Sequence, residues 1–269
     1  MPHPFLDTPG PLAFAHRGGA EEAPENTLPA FTAAVRLGYR YLETDVHLTR
    51  DRVLMAFHDP RLDRVTDRAG AIAELDVAEV EAADAGHAWS PDGGRTFPFR
   101  DTGVRVPRLE ALLDQFPDAR VNIDPKADAS VGALAELVDA RGDWDRLCFG
   151  AFSDRRLARI RALSRGRACT SMGPLAVAVA RIAGWGSMVP RQGADCIQVP
   201  VRQGPVPLVT AGWVRAAHRA GLRVHVWTID AERAMHDLLD LGVDGLMTDR
   251  PSALRSVFLQ RGLAWPSSS

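Results

Sequence analysis

Eight short apolar runs recur along the chain, at 12–16, 41–46, 120–124, 147–152, 168–172, 196–199, 224–228 and 245–248, and helical periodicity fills the gaps between them. Phe31, Ala34 and Val35 share one helical face, closed by Gly38. Leu157, Ile160 and Leu163 share a second, with Ser153 as N-cap, and Met235, Leu238 and Leu239 share a third, closed by Gly242. Eight strands, each followed by a helix, within 269 residues predict a (β/α)8 TIM barrel. A doubly wound open sheet is the alternative. It would carry a Gly-rich phosphate turn after its first strand, and His16-Arg17-Gly18-Gly19 does not match one.

One run breaks the rhythm. Residues 53–58 are strand-like, yet only Leu48-Thr49-Arg50-Asp51-Arg52 separates them from the preceding strand, too short for a parallel crossover. This predicts a hairpin that returns His58 to the barrel mouth. The segment of about 60–106 is then a small insertion in a single domain spanning 1–269. It contains a capping box at Asp76 and Glu79. Its Gly/Pro/aromatic stretch from Trp89 to Phe99 reads either as a lid or substrate wall or as a loose surface loop. The tail Ser267-Ser268-Ser269 reads as frayed.

Composition narrows the classes of function. A formal net charge of −2 gives no support to nucleic-acid binding or a polybasic membrane patch. Cys148, Cys169 and Cys196 form no C-x-x-C pair and sit in apolar runs, so they read as core residues. The N-terminus lacks the pattern of a signal peptide. The most apolar window, 174–184, is interrupted by Arg181 and is too short to span a bilayer. A cytoplasmic protein without an integral membrane segment is the expectation.

Barrel enzymes carry their sites at the C-terminal ends of the strands. His16 and Arg17 end the first predicted strand, Glu43 and Asp45 the second, Asp124 and Lys126 the third, Trp227 and Thr228 the seventh, and Thr248 and Asp249 the eighth. Strand residues two apart face the same side, so Glu43 with Asp45, and Asp124 with Lys126, can point into one mouth. Three carboxylates together repel unless a cation neutralises them, and oxygen ligation suits Mg²⁺ or Ca²⁺. The alternative is that Arg17 or Lys126 merely pairs with the acids. Arg17 and Lys126 also suit phosphate oxygens. His16 and His58 are candidate general acid and base. His47 shares the alternation of Glu43 and Asp45 but begins the hairpin, which places it in solvent. His87, His218, His225 and His236 carry no partner pattern. Asn26 or Thr27 reads as a helix cap, with Glu25 reaching the site as a second possibility.

These motifs, in order, resemble the glycerophosphodiester phosphodiesterase family. The resemblance runs through Ala15-His16-Arg17-Gly18, Pro24-Glu25-Asn26-Thr27, Glu43-Thr44-Asp45-Val46, Thr49-Arg50-Asp51, His58-Asp59, Val106-Pro107-Arg108-Leu109-Glu110 and Asn122-Ile123-Asp124-Pro125-Lys126. It closes with Val226-Trp227-Thr228-Ile229 and the segment from Gly242 to Asp249. It implies a (β/α)8 barrel that hydrolyses glycerophosphodiesters to glycerol 3-phosphate and an alcohol. It implies His16 and His58 as the acid/base pair, Glu43, Asp45 and Asp124 as ligands of a divalent metal, and Arg17 and Lys126 on the phosphate. Trp227 would lie against the glycerol. The sequence departs from the pattern at Asp124, where many relatives carry Glu. Two other readings are a lipid-directed phosphodiesterase, either a lysophospholipase D or a phosphatidylinositol-type enzyme, and an inactive phosphodiester-binding module. A lipid-directed enzyme needs an apolar approach surface, for which Trp89, Phe97 and Phe99 are the sequence candidates. The motifs leave the leaving-group alcohol, the choice between Mg²⁺ and Ca²⁺, and the oligomeric state open.

Overall fold

The computed structural model describes residues 3–183, 189 and 191–265; the serine tail lies outside them. The strands are β1 (Leu12–His16), β2 (Tyr41–Leu48), β3 (Leu54–Ala56), β4 (Arg120–Pro125), β5 (Leu147–Phe149), β6 (Cys169–Thr170), β7 (Cys196–Val199), β8 (Arg202–Gln203), β9 (Val206–Pro207), β10 (Arg223–Val226) and β11 (Gly245–Thr248). Eight of them pair in parallel in the order β6-β5-β4-β2-β1-β11-β10-β7. A parallel bridge between Ser171 and Cys196 joins the two ends. There Asp195 N donates to Thr170 O at 2.9 Å and Met172 N to Cys196 O at 3.0 Å. The predicted (β/α)8 architecture is therefore the one adopted.

Helices α1 (Leu28–Arg36), α3 (Leu109–Gln115), α4 (Asp128–Arg141), α5 (Asp154–Leu163), α6 (Pro174–Ala183), α7 (Ala211–Arg219), α8 (Glu232–Asp240) and α9 (Pro251–Gln260) lie between or after the barrel strands, and α2 (Val77–Glu81) lies in the insertion. Their starts are set chemically. Thr27 accepts from Ala30 N at α1 and Ser153 from Arg156 N at α5, each satisfying one orphan donor of the first turn. The capping box of Asp76 and Glu79 opens α2. The predicted apolar faces are narrower than expected, for Val35 and Leu163 point to solvent while Phe31, Ala34, Leu157 and Ile160 are buried.

The barrel interior is filled from its N-terminal end. A short turn at Pro4–Leu6 inserts Phe5 beneath Phe14 and Tyr41, whose ring centroids lie 6.3 and 5.3 Å away. The Tyr41 hydroxyl donates to Phe5 O at 2.9 Å, so the buried phenol is satisfied. Cys148, Cys169 and Cys196 belong to the same interior cluster, free and buried. This floor closes one end and leaves the C-terminal end open.

The predicted hairpin forms. β3 runs antiparallel to β2, with Val46 opposite Ala56 and Leu48 opposite Leu54. Beyond it, Met55, Phe57, Leu62, Ile72, Val80 and Val106 contribute to a separate core that holds the insertion together. Trp89 is not loose. Its indole N–H donates to Ala20 O at 3.0 Å and its ring meets Phe99 edge-on at 5.1 Å. A second small hairpin, β8 with β9, follows β7 and was not legible in the sequence. Among the described residues, no helix is long and apolar enough to cross a membrane.

Candidate active site

The open end of the barrel holds a cavity of about 560 Å³. All eight residues singled out from the sequence line it: His16, Arg17, Glu43, Asp45, His58, Asp124, Lys126 and Trp227. Residues 89–99 do not.

The backbone places each of these groups. His16 ends β1, and β1 pairs with β2 so that His16 stands opposite Glu43. Asp45 stands opposite Asp124 across β2 and β4. The hairpin returns His58, held by the Phe57 N–H donating to Asp45 O at 2.9 Å. Arg17 (φ 51°) and Asn26 (φ 56°) both take the left-handed conformation, which costs free energy outside glycine. That geometry turns the Arg17 N–H onto Glu43 Oε2 at 3.1 Å and Asn26 Nδ2 onto Asp45 Oδ2 at 3.1 Å. Gly18 has φ +84°, and a Cβ there would sit 2.8 Å from Ala30 Cβ, so the turn between β1 and α1 has no room for a side chain.

Two histidines face the cavity, each oriented by a carboxylate. His16 Nδ1 lies 2.7 Å from Asp249 Oδ1, and His58 Nδ1 lies 2.6 Å from Asp59 Oδ1. A carboxylate on Nδ1 fixes the proton there and leaves Nε2 for chemistry. Nε2 of His16 lies 3.8 Å from Glu43 Oε2. Burial works against protonation of His16, but Glu43 and Asp249 outweigh it and raise its pKa.

The floor is a lattice of opposite charges. Lys126 Nζ lies 2.6 Å from Asp45 Oδ1 and 2.8 Å from Asp124 Oδ2, and Arg17 Nε lies 3.1 Å from Asp45 Oδ2. Burial alone would raise the Asp45 carboxyl, yet Lys126 and Arg17 hold it below the usual carboxylate range. Burial and the Asp45 charge push Glu43 up to about 7. Burial also raises Asp124, only partly offset by Lys126.

His47 corrects an expectation. It is buried rather than in solvent, and its Nε2–H donates to the His58 carbonyl at 3.0 Å. The reason is that β2 continues through His47 to Leu48, so the ring lies within the paired hairpin, opposite Met55. Burial lowers its pKa.

Four further residues complete the site. Asn26 is not the cap; Thr27 is. Asn26 instead accepts from Thr44 Oγ1 at 2.7 Å while holding Asp45. Glu25 reaches the site, 3.3 Å from Arg17 Nη1. Arg64, from the insertion, forks onto Glu25 at 2.6 and 3.0 Å and also donates to Asp59 Oδ2. Asp249 was visible as a strand-end carboxylate, but its partner was not.

Glu43, Asp45 and Asp124 offer only oxygen, the donor set of a hard divalent ion. Among the described residues, no three His, Cys, Asp or Glu side chains already form a metal cage; Lys126 bridges Asp45 and Asp124 instead. The donors still suit a cation. Asp124 Oδ1 is buried without a hydrogen-bond partner.

Comparison with known proteins identifies the family. Residues 16–253 match the glycerophosphoryl diester phosphodiesterase family. A probable glycerophosphodiester phosphodiesterase 2 of Mycobacterium tuberculosis is 39% identical over 267 residues, covering 96% of this chain and 94% of that protein. The crystal structure of a putative glycerophosphoryl diester phosphodiesterase from Silicibacter pomeroyi superposes with a TM-score of 0.80 at 25% identity, covering 98% of this chain and 99% of that one. A phosphodiesterase from Oleispira antarctica, solved with the product sn-glycerol-3-phosphate, shares the fold with a TM-score of 0.77 at 24% identity, covering 93% and 97%. With the family matched from His16 to Ala253, the chain belongs to the glycerophosphodiester phosphodiesterase family and is an enzyme of that class.

Proposed function

We propose that the cavity hydrolyses glycerophosphodiesters to glycerol 3-phosphate and an alcohol, with His16 and His58 as its acid/base pair. The observation that carries this reading is the pair of carboxylate-oriented histidines in one cavity with Arg17 and Lys126. The Oleispira relative holds sn-glycerol-3-phosphate on the same fold, which supports the same product here.

Arg17 and Lys126 bind the phosphate oxygens and offset the charge that develops on them. Asp249 and Asp59 keep Nδ1 of each ring protonated, so that each Nε2 exchanges the working proton. One ring takes the proton of the attacking hydroxyl, from water or from the substrate's own glycerol. The other gives a proton to the departing alkoxide. Trp227 packs against the glycerol. Glu43, Asp45 and Asp124 would hold a divalent ion, Mg²⁺ or Ca²⁺; when bound, it polarises phosphoryl oxygen as a Lewis acid. Lys126 would then give up one of its two carboxylates for the phosphate.

The test is to incubate the protein with glycerophosphocholine and glycerophosphoethanolamine, with Mg²⁺, with Ca²⁺ and with chelator, and to measure glycerol 3-phosphate. Release that is lost with chelator and restored by one ion is the expected result. Undiminished release in chelator would remove the metal from the account, and no release under any condition would remove the reaction.

A further inference from the structure

Two side-chain amides meet across the floor of the cavity. Gln198 Nε2 donates to Asn122 Oδ1 at 2.8 Å. Asn122 lies on β4 and Gln198 on β7, with β5 and β6 between them in the barrel, so the bond spans the barrel interior. Gly150, just past β5, leaves the passage open. A Cβ there would lie 2.6 Å from Gln198 Oε1 and 3.6 Å from Asn122 Nδ2. All three residues line the cavity. Strand alternation sets their depth. Asn122 comes two residues before Asp124 on β4, and Gln198 stands opposite His225, which comes two residues before Trp227. The amide pair therefore lies one layer below Asp124 and Trp227. Phe152, two residues beyond Gly150 and 66% exposed, marks the mouth.

Two amides joined by one bond keep a donor and an acceptor free. Here these are Asn122 Nδ2 and Gln198 Oε1, neither with a partner among the described residues, and both flank Gly150. Turning both amides over exchanges the atoms and again leaves one donor and one acceptor. A hydroxyl meets such a pair with a single atom, because its oxygen accepts from the nitrogen while its proton goes to the carbonyl oxygen. The pair carries no charge to offset that of a phosphate or of an ammonium headgroup. With phosphorus at Arg17 and Lys126 and the glycerol against Trp227, the terminal carbon of the glycerol reaches down to this floor. The leaving alcohol then points to the mouth.

We propose that Asn122 and Gln198 are specificity residues that read the terminal hydroxyl of the glycerol, with Gly150 kept bare so that the two amides can meet. The inference rests on the phosphodiesterase reading above and adds the residues that select the retained half of the substrate. Asn122 is only 3% exposed, so a substrate without that hydroxyl leaves an enclosed donor and acceptor unmet, at a cost in binding. The leaving alcohol makes no contact with the pair, so one floor serves diesters with different headgroups.

The test is choline release from glycerophosphocholine and from 2-hydroxypropyl phosphocholine, which lacks only the terminal hydroxyl and keeps the inner one. It is run with the wild-type enzyme, with Gln198→Ala and with Gly150→Ala, whose added methyl displaces the Gln198 amide. The wild-type kcat/KM is expected to favour glycerophosphocholine by about tenfold to a hundredfold. In both variants that ratio falls toward one, whereas a merely structural loss would slow both substrates alike and keep the ratio. Equal wild-type turnover of the two substrates, or a ratio unchanged in both variants, overturns the inference and spares the phosphodiesterase reading. Variants that instead reverse the preference between glycerophosphocholine and glycerophosphoethanolamine place the pair at the leaving alcohol and overturn it too. No turnover of either choline ester by the wild-type enzyme overturns both.

Discussion

The His16 ring at the end of β1 and the Asp249 carboxylate just beyond β11 meet at 2.7 Å, across the seam where the first and last strands of the barrel pair. Asp249 is itself fixed, because Asp230 Oδ1 accepts from the Asp249 N–H at 2.7 Å and from Thr248 Oγ1 at 3.0 Å. The tautomer of His16 therefore depends on closure of the barrel. We predict that Asp249→Asn lowers kcat for glycerophosphocholine by about tenfold to a hundredfold while the melting temperature changes little. Unchanged kcat would show that the ring is oriented by something else.

Arg64 plays the matching part for His58. It bridges Asp59, the partner of His58, to Glu25, the partner of Arg17. Its side chain is half exposed, so its ion pairs contribute modestly to global stability. Arg64→Ala is predicted to lower kcat severalfold with little loss of melting temperature, and Arg64→Lys to recover part of it. Equal loss in both measurements would mark the residue as structural only.

Much of this site could be read from the chain, and what could not has a physical cause. Glu43, Asp45, Asp124 and Lys126 were legible because strand alternation puts residues two apart on one face. His58 was legible because five residues cannot hold a crossover helix. His47 was misplaced because an extra pair of strand residues reverses burial at the hairpin, and the pattern does not mark where a strand ends. The pairings His16–Asp249 and Arg64–Glu25 span 233 and 39 positions, and no local periodicity encodes them. The β8–β9 hairpin is two residues per strand, too short for an alternation signal.

The turn after β1 makes a stability prediction. Gly18 has φ +84°, and an added Cβ would lie 2.8 Å from Ala30 Cβ and 2.9 Å from Phe31 N. Backbone strain and overpacking act together there, so Gly18→Ala should cost about 2–4 kcal/mol in urea denaturation. A loss under about 0.5 kcal/mol would mean that α1 shifts freely.

The loop after Trp89 makes a pH prediction. The Asp92 carboxylate accepts from the backbone N–H of Thr96 at 2.8 Å and of Arg95 at 3.0 Å, and its pKa is lowered to about 2, chiefly by the Thr96 bond. Because the folded value lies below the ordinary one of about 3.9, this loop gains its full support above pH ~4. That support is lost as pH falls through about 2. The Thr96 amide proton, followed by NMR, should shift with a midpoint near 2; a midpoint near 4 would show that Asp92 does not organise the turn.

The central claim is that His16 and His58 move the protons of phosphodiester hydrolysis. The most direct measurement is the rate of glycerol 3-phosphate release from glycerophosphocholine by His16→Ala and by His58→Ala, each checked for an intact fold by circular dichroism and melting. The account predicts a fall of at least about a hundredfold in each variant. A folded variant of either kind that turns over at near-normal rate would contradict it.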